Sequence, residues 1–217
     1  MMEQSAYVSL LIQFVTGTID AFGLTIEVPK EKQIFKELLK IEFGVQIVEF
    51  IYYLWMVQNI TKFENITPTR YIDWFVTTPT MLVTLMAYMD TTIGININDF
   101  IESNAQIIFE VLVLNVMMLI FGLIGELKGL DVKTSVALGF IPFVLYFQQI
   151  YSKYINEKSS FDQIFIYWFF VITWSLYGVA ALLSYDNKNT MYNILDLFAK
   201  NFLGIFLVFI LWINRIK

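Results

Sequence analysis

Neither cysteine nor histidine occurs in the 217 residues. Without cysteine there is no disulfide, no thiol nucleophile and no redox handle. Without histidine there is no imidazole metal ligand, no histidine triad and no histidine proton relay. Charge is sparse as well, with 15% Asp, Glu, Lys and Arg and a net charge of −5 carried mainly between the apolar runs. No basic stripe suggests nucleic acid, and there is no internal repeat or low-complexity tract. What remains is 58% hydrophobic and 18% aromatic, too apolar for an ordinary soluble domain.

A helix needs about 20 mostly apolar residues to cross a bilayer, and seven such segments with short loops use nearly the whole chain. The pattern predicts an all-α bundle of seven transmembrane helices over residues 1–217, with no separate soluble domain. The segments A to G run over 6–28, 33–60, 69–88, 103–127, 132–154, 161–184 and 190–214. Pro29, Pro68 and the Gly129–Asp131 turn punctuate three junctions. The opening MMEQS lacks the positive stretch of a secretory leader, so the first apolar segment is expected to persist in the mature protein. Lys30, Lys32, Lys36, Lys40, Lys153, Lys158, Arg215 and Lys217 fall at one end of the segments, against Lys62, Lys128, Lys133 and Lys188 at the other. That excess places the C-terminus in the cytoplasm and the N-terminus outside.

Two segments carry charge where the bilayer disfavours it. RYIDWFVTTPT, residues 70–80, holds Arg70 and Asp73. Asp73, Thr77 and Thr84 share one helical face. In segment G, Asp196 and Lys200 are one turn apart. A buried lysine stays charged if Asp73 and Asp196 act as its counter-ions and Arg70 balances the second negative charge. The cluster fits two readings equally: a set of salt bridges that fixes helix packing, or a functional site. A lysine in an apolar pocket also offers the amine that forms a Schiff base with an aldehyde. Trp74, Phe140, Phe143, Trp168, Trp174 and Tyr177 offer an aromatic lining for a long apolar ligand.

RYIDWFVTTP resembles the third-helix signature of microbial rhodopsins, R-Y-x-D-W-x-x-T-T-P. LDLFAK, residues 195–200, resembles their seventh-helix signature, whose final lysine carries retinal. WSLY, residues 174–177, is similar to their sixth-helix W-x-x-Y, and GLIGEL, residues 122–127, to the fourth-helix G-L-V-G-A-L of bacteriorhodopsin-type members. The four motifs occur in family order from segment C to the end of the chain. The resemblance implies all-trans retinal bound as a Schiff base to Lys200, with Asp73 as primary counter-ion and proton acceptor. It implies Asp196 as second counter-ion, Arg70 as a switchable extracellular arginine, and a hydrogen bond from Thr77 to Asp73. Trp74, Met81, Met118, Gly122, Phe143, Trp174 and Tyr177 are expected around the retinal, and an apolar Met81 implies green absorption. Two positions depart from the family pattern. Gly178 replaces the sixth-helix proline, which softens any kink. Thr84 stands where pumps carry a carboxylic proton donor.

Segment B adds a polar face of Glu42, Gln46, Glu49 and Tyr53, and segment A a matching stripe of Ser9, Gln13, Thr16 and Asp20. Such faces are expected to turn inward. Glu42 lies near the cytoplasmic boundary, where an interfacial, solvated carboxylate is the alternative. Glu49 lies about 10 Å deeper at the usual helical rise. The E-F-x-V-Q-x-x-E-F pattern resembles the rhodopsins of large DNA viruses, which implies a multi-pass protein of a host plasma or internal membrane. Three functions follow from these resemblances. The first is a light-gated cation channel lined by Ser9, Gln13, Glu42, Glu49 and Asp73. The second is an outward proton pump with Glu42 in place of the missing donor, and the third a photosensor signalling to a partner. The partners implied are the lipid bilayer and small cations or protons, and a homo-oligomer is compatible with the family.

Overall fold

The computed structural model describes residues 1–90 and 96–216. Lys217, counted above with the basic tail, lies outside the described residues. Among these, nine α-helices form: α1 Met2–Gly23, α2 Gln33–Asn59, α3 Thr67–Met89, α4 Ile97–Ser103, α5 Ala105–Glu126, α6 Val132–Tyr154, α7 Phe161–Ala181, α8 Tyr185–Ala199 and α9 Phe202–Ile213. Predicted segments A to F correspond to α1, α2, α3, α5, α6 and α7. Predicted segment G is α8 plus α9, interrupted at Lys200 and Asn201. It begins five residues earlier than expected, at Tyr185. The short α4 precedes α5, capped by the Asn96 side chain, which accepts the Asp99 amide at 3.0 Å.

The helix ends follow local chemistry. Pro68 occupies the first turn of α3, where its missing N–H costs nothing. Asp131 caps α6, and Ser160 and Gln163 form a reciprocal capping box on α7. At the end of α5 the left-handed residue is Lys128, at φ 60°, rather than the adjacent glycine. Gly129 follows it and donates its amide to Ile124 O at 2.9 Å, closing the turn.

The helices form a ring in which α1 packs on α2, α2 on α3, α3 on α5, α5 on α6, α6 on α7 and α7 on α8. Both α8 and α9 return to α1, and α9 also packs on α2. Large apolar side chains such as Leu11, Phe14, Val76, Phe109 and Ile172 point outward. Polar ones turn in: on α3, Arg70 is 0% exposed and Ile72, two residues on, is 73% exposed. This inverts a soluble fold and suits hydrocarbon as the surrounding solvent. Among the described residues five stretches are long and apolar enough to cross a membrane, with α8 and α9 counted as one. The two remaining long helices, α2 and α3, are those that carry Glu42, Glu49, Arg70 and Asp73.

Candidate functional site

Lys200 sits at the interruption between α8 and α9, buried in the ring. Its ammonium pairs directly with two carboxylates, Glu49 of α2 and Asp73 of α3. Of these two, only Asp73 was expected there from its own motif. Glu49 is added because the polar face of α2 turns inward and brings it level with the amine. Gln13 of α1 donates to Glu49 Oε1 at 3.4 Å. Gln46, one turn away on α2, donates to the Gln13 carbonyl at 3.0 Å and to its side-chain oxygen. Asp73 Oδ1, also buried, has no hydrogen-bond partner among the described residues.

The Lys200 amide donates to the Asp196 carbonyl at 3.1 Å, but among the described residues the Asp196 carboxylate makes no ion pair with the Lys200 ammonium. It forms a second centre, nearer the N-terminal end of the bundle, with Arg70 at 3.3 Å, and accepts hydroxyls from Tyr53 and Tyr177, each at 2.7 Å. The guanidinium is fully buried, and each of its N–H groups finds an acceptor. Nε donates to Asn189 Oδ1 and Nη2 to Asn193 Oδ1 and the Asn189 carbonyl; Nη1 donates to Asp196 and the Tyr53 oxygen. That matches the donor inventory of arginine, so this ion is fully satisfied. The guanidinium also lies 5.5 Å from the Tyr192 ring centroid. Ser9 donates to the Asn193 carbonyl at 2.9 Å, and Asn189 to Thr67 at 2.9 Å, tying α1 and α3 to α8. Asn189 and Asn193 escaped the sequence reading, although they share the face of α8 that leads to Asp196.

Two hydrogen-bonding expectations change. Thr77 donates to the Asp73 backbone carbonyl at 3.0 Å, not to its carboxylate; a hydroxyl on a helix readily bonds the carbonyl one turn back. Lys188, expected in a loop, is inside α8. It is buried and bonds both oxygens of Glu126 at 2.7 Å.

Beyond Lys200 lies a cavity of about 120 Å³. Trp74, Met81, Met118, Gly122, Phe143, Trp174 and Tyr177 all line it, as does Phe140. Its lining also includes Tyr71, Thr78, Gly139, Tyr192 and Ala199, which sequence reasoning did not single out. Trp168 points away, 47% exposed on the outer face of α7; one aromatic step along the helix turns a side chain from core to lipid. Gly122 and Gly178 are close approaches. A Cβ at Gly122 would stand 2.5 Å from the Tyr71 hydroxyl, and one at Gly178 would stand 2.5 Å from the Phe140 ring.

At the opposite end from Arg70, Glu42 is buried rather than interfacial. Neither of its oxygens has a hydrogen-bond partner among the described residues. Asp20 and Thr84 are its neighbours. The Thr84 hydroxyl donates instead to the Thr80 carbonyl at 3.1 Å. The Asp20 carboxylate lies against Gly204 of α9, where a Cβ would stand 2.7 Å from Oδ2. Glu42, Gln46, Glu49 and Tyr53 therefore line α2 opposite Asp20, Thr16, Gln13 and Ser9 of α1, and all eight are buried.

A family model described as bacteriorhodopsin-like protein matches residues 1–214. An opsin-like protein, carO, from Fusarium fujikuroi is 25% identical over 240 aligned residues, covering 96% of this chain and 72% of the relative. The crystal structure of viral rhodopsin OLPVRII superposes with a TM-score of 0.84 at 25% identity, covering 95% of each chain. Blue light-absorbing proteorhodopsin from Med12 gives a TM-score of 0.77 at 23% identity over 98% of each chain. Halorhodopsin, described as a light-driven chloride pump, gives 0.72 at 14% identity over 98% of this chain and 95% of the other. At these two lower identities the likeness concerns the fold alone.

Proposed function

The chain belongs to the bacteriorhodopsin-like family, and from that premise we propose that it is a retinal-dependent, light-gated cation channel with its N-terminus outside. The family is one of multi-pass membrane proteins that carry retinal on a lysine and work as ion pumps, channels or photosensors, not as enzymes. Lys200 is the proposed attachment point. Its amine borders a largely apolar cavity, the small Ala199 stands beside it, and the lining is aromatic and aliphatic, which fits a long polyene. Asp73 Oδ1, beside that amine and without a hydrogen-bond partner among the described residues, fits a site that manages a proton.

When bound, retinal supplies light absorption and a change of shape that redirects the proton on the lysine nitrogen. The remaining roles fall to the chain. Trp74, Met81, Met118, Gly122, Phe143, Trp174 and Tyr177 confine the apolar ligand. Asp73 and Glu49 hold the positive charge at Lys200, and Asp73 is the acceptor of its proton. Asp196, held by Arg70, Tyr53 and Tyr177, acts on that charge from one step further away. Thr77, bonded to its own helix, fixes the local backbone beneath Asp73.

The observation that carries channel over pump is the facing of two buried polar stripes. Asp20, Thr16, Gln13 and Ser9 meet Glu42, Gln46, Glu49 and Tyr53 along the α1–α2 seam. This polar column runs past Lys200, and its carboxylates attract cations. Light-evoked current recorded against voltage tests the reading: a channel current reverses near the ionic equilibrium potential. A second reading, an outward proton pump, draws support from Glu42, a buried carboxyl without a hydrogen-bond partner among the described residues, standing beside Thr84. Under it, current stays outward at every voltage, and Glu42→Gln slows photocycle recovery in a way that azide rescues.

A further inference from the structure

The polar column has to end somewhere at the Glu42 side, and the side chains that end it are not part of the retinal pocket or of the charge centres. The buried stripe of α3 runs Arg70, Asp73, Thr77, Thr84 and then Tyr88. Tyr88 is one turn beyond Thr84, which stands beside Glu42. Its ring is wedged between Phe35 of α2, at 6.1 Å between centroids, and Phe206 of α9, at 5.5 Å and nearly perpendicular. Toward α1, Leu39 and Val208 press so tightly on Gly23 that a Cβ there would stand 2.8 and 2.5 Å from them.

The Tyr88 hydroxyl reaches past this apolar layer. It donates to Asp162 Oδ2 at 2.8 Å, and Asp162 is an exposed residue in the first turn of α7. Next to it, Gln163 donates to the Met89 carbonyl at 3.2 Å. Tyr88 therefore has its ring in the seam and its hydroxyl held at the rim by a different helix.

We propose that Tyr88, clamped between Phe35 and Phe206 and latched to Asp162, is the gate that closes the Glu42 end of the column. This rests on the column being the conducting path. In the closed protein the ring fills the gap that an ion, or the water carrying it, has to cross. Opening requires the ring to leave that gap, and the bond to Asp162 opposes its departure and speeds its return. Tyr88 is a positioning residue: it touches neither the retinal cavity nor the Lys200 pair.

The test uses the full chain with retinal in a voltage-clamped cell. Tyr88→Phe keeps the ring and loses the latch, and Asp162→Asn weakens the latch from the other side. Each is expected to slow the decay of current after the light is turned off several-fold, with the absorption maximum unchanged. The double variant is expected to decay no more slowly than the slower single one, because both remove the same bond. Tyr88→Ala is expected to add a leak in the dark. Wild-type decay in Tyr88→Phe, or effects of the two substitutions that simply multiply, overturns the gate. If wild-type current never reverses with voltage, the channel reading fails by itself. The gate is then judged on photocycle recovery in Tyr88→Phe and on dark proton leak in Tyr88→Ala, and wild-type values of both overturn it.

Discussion

Between α5, α6 and α7 the interior is mostly aromatic and aliphatic, with Met118, Phe140, Phe143 and Trp174 around the cavity. Between α1, α2, α3 and α8 it is a buried polar column holding Arg70, Lys200, Asp20, Glu42, Glu49, Asp73 and Asp196. Both sides show the same apolar outer face, so the bilayer sees one kind of protein. The difference lies in how each interior is held together. On the first side, side chains meet by shape, as where Phe140 lies against Gly178. On the second, polar contacts decide: Arg70 places every N–H on an acceptor, and Lys200 pairs with both Glu49 and Asp73. The consequence shows in hydropathy. The helices α5, α6 and α7 are apolar enough to cross a membrane, as are α1 and the α8–α9 stretch of the polar side, whereas α2 and α3 are not. The two helices that composition would discard are the ones that bring carboxylates to Lys200.

The sharpest way to break this division is at the boundary residue. Lys200→Ala is expected to abolish covalent pigment and the visible band altogether, measured by absorption after retinal addition. A normal hydroxylamine-sensitive chromophore in that variant would show that the amine lies elsewhere. Arg70→Ala strikes the polar side alone. It leaves Asp196 buried without its cation, and breaking one partner of a buried pair costs about 3–5 kcal/mol. Thermal bleaching of the solubilised pigment is expected to fall steeply in temperature, and unchanged bleaching would mean that the tyrosines alone hold Asp196.

Smaller effects sharpen the comparison. Asp73→Asn and Glu49→Gln each remove one negative charge from the same ammonium, so each is expected to shift the absorption maximum to the red. Glu49→Gln is expected, in addition, to change the reversal potential or conductance, because Glu49 also belongs to the α2 stripe. A red shift in only one of the two variants would assign the dominant charge to that carboxylate. On the apolar side, Met81→Gln places a polar group in the cavity wall and is expected to move the maximum to the blue, by less than the carboxylate changes do. The smallest effect is expected at Ile72, which faces lipid: Ile72→Leu is expected to stay within about 0.5 kcal/mol of wild type, as remote surface changes usually do.

Sequence by itself determined that the chain is helical, that its segments span a membrane, and which residues carry charge into it. Apolar runs of fixed length and the 3.6-residue period hold that information locally. The period even grouped Glu42, Gln46, Glu49 and Tyr53 on one face. It did not say which face of which neighbour they meet. Only the tertiary structure decided that Glu49 shares Lys200 with Asp73 while Asp196 turns to Arg70, Tyr53 and Tyr177. It also decided that Trp168 faces outward, that Lys188 is buried on Glu126, and that the seventh span breaks at Lys200. The reason is geometric. Spacing along one helix fixes relative angle and height within that helix, but contact between helices depends on their mutual rotation and axial offset. Those are set by packing over the whole ring, where a glycine such as Gly204 against Asp20 admits one arrangement and excludes others.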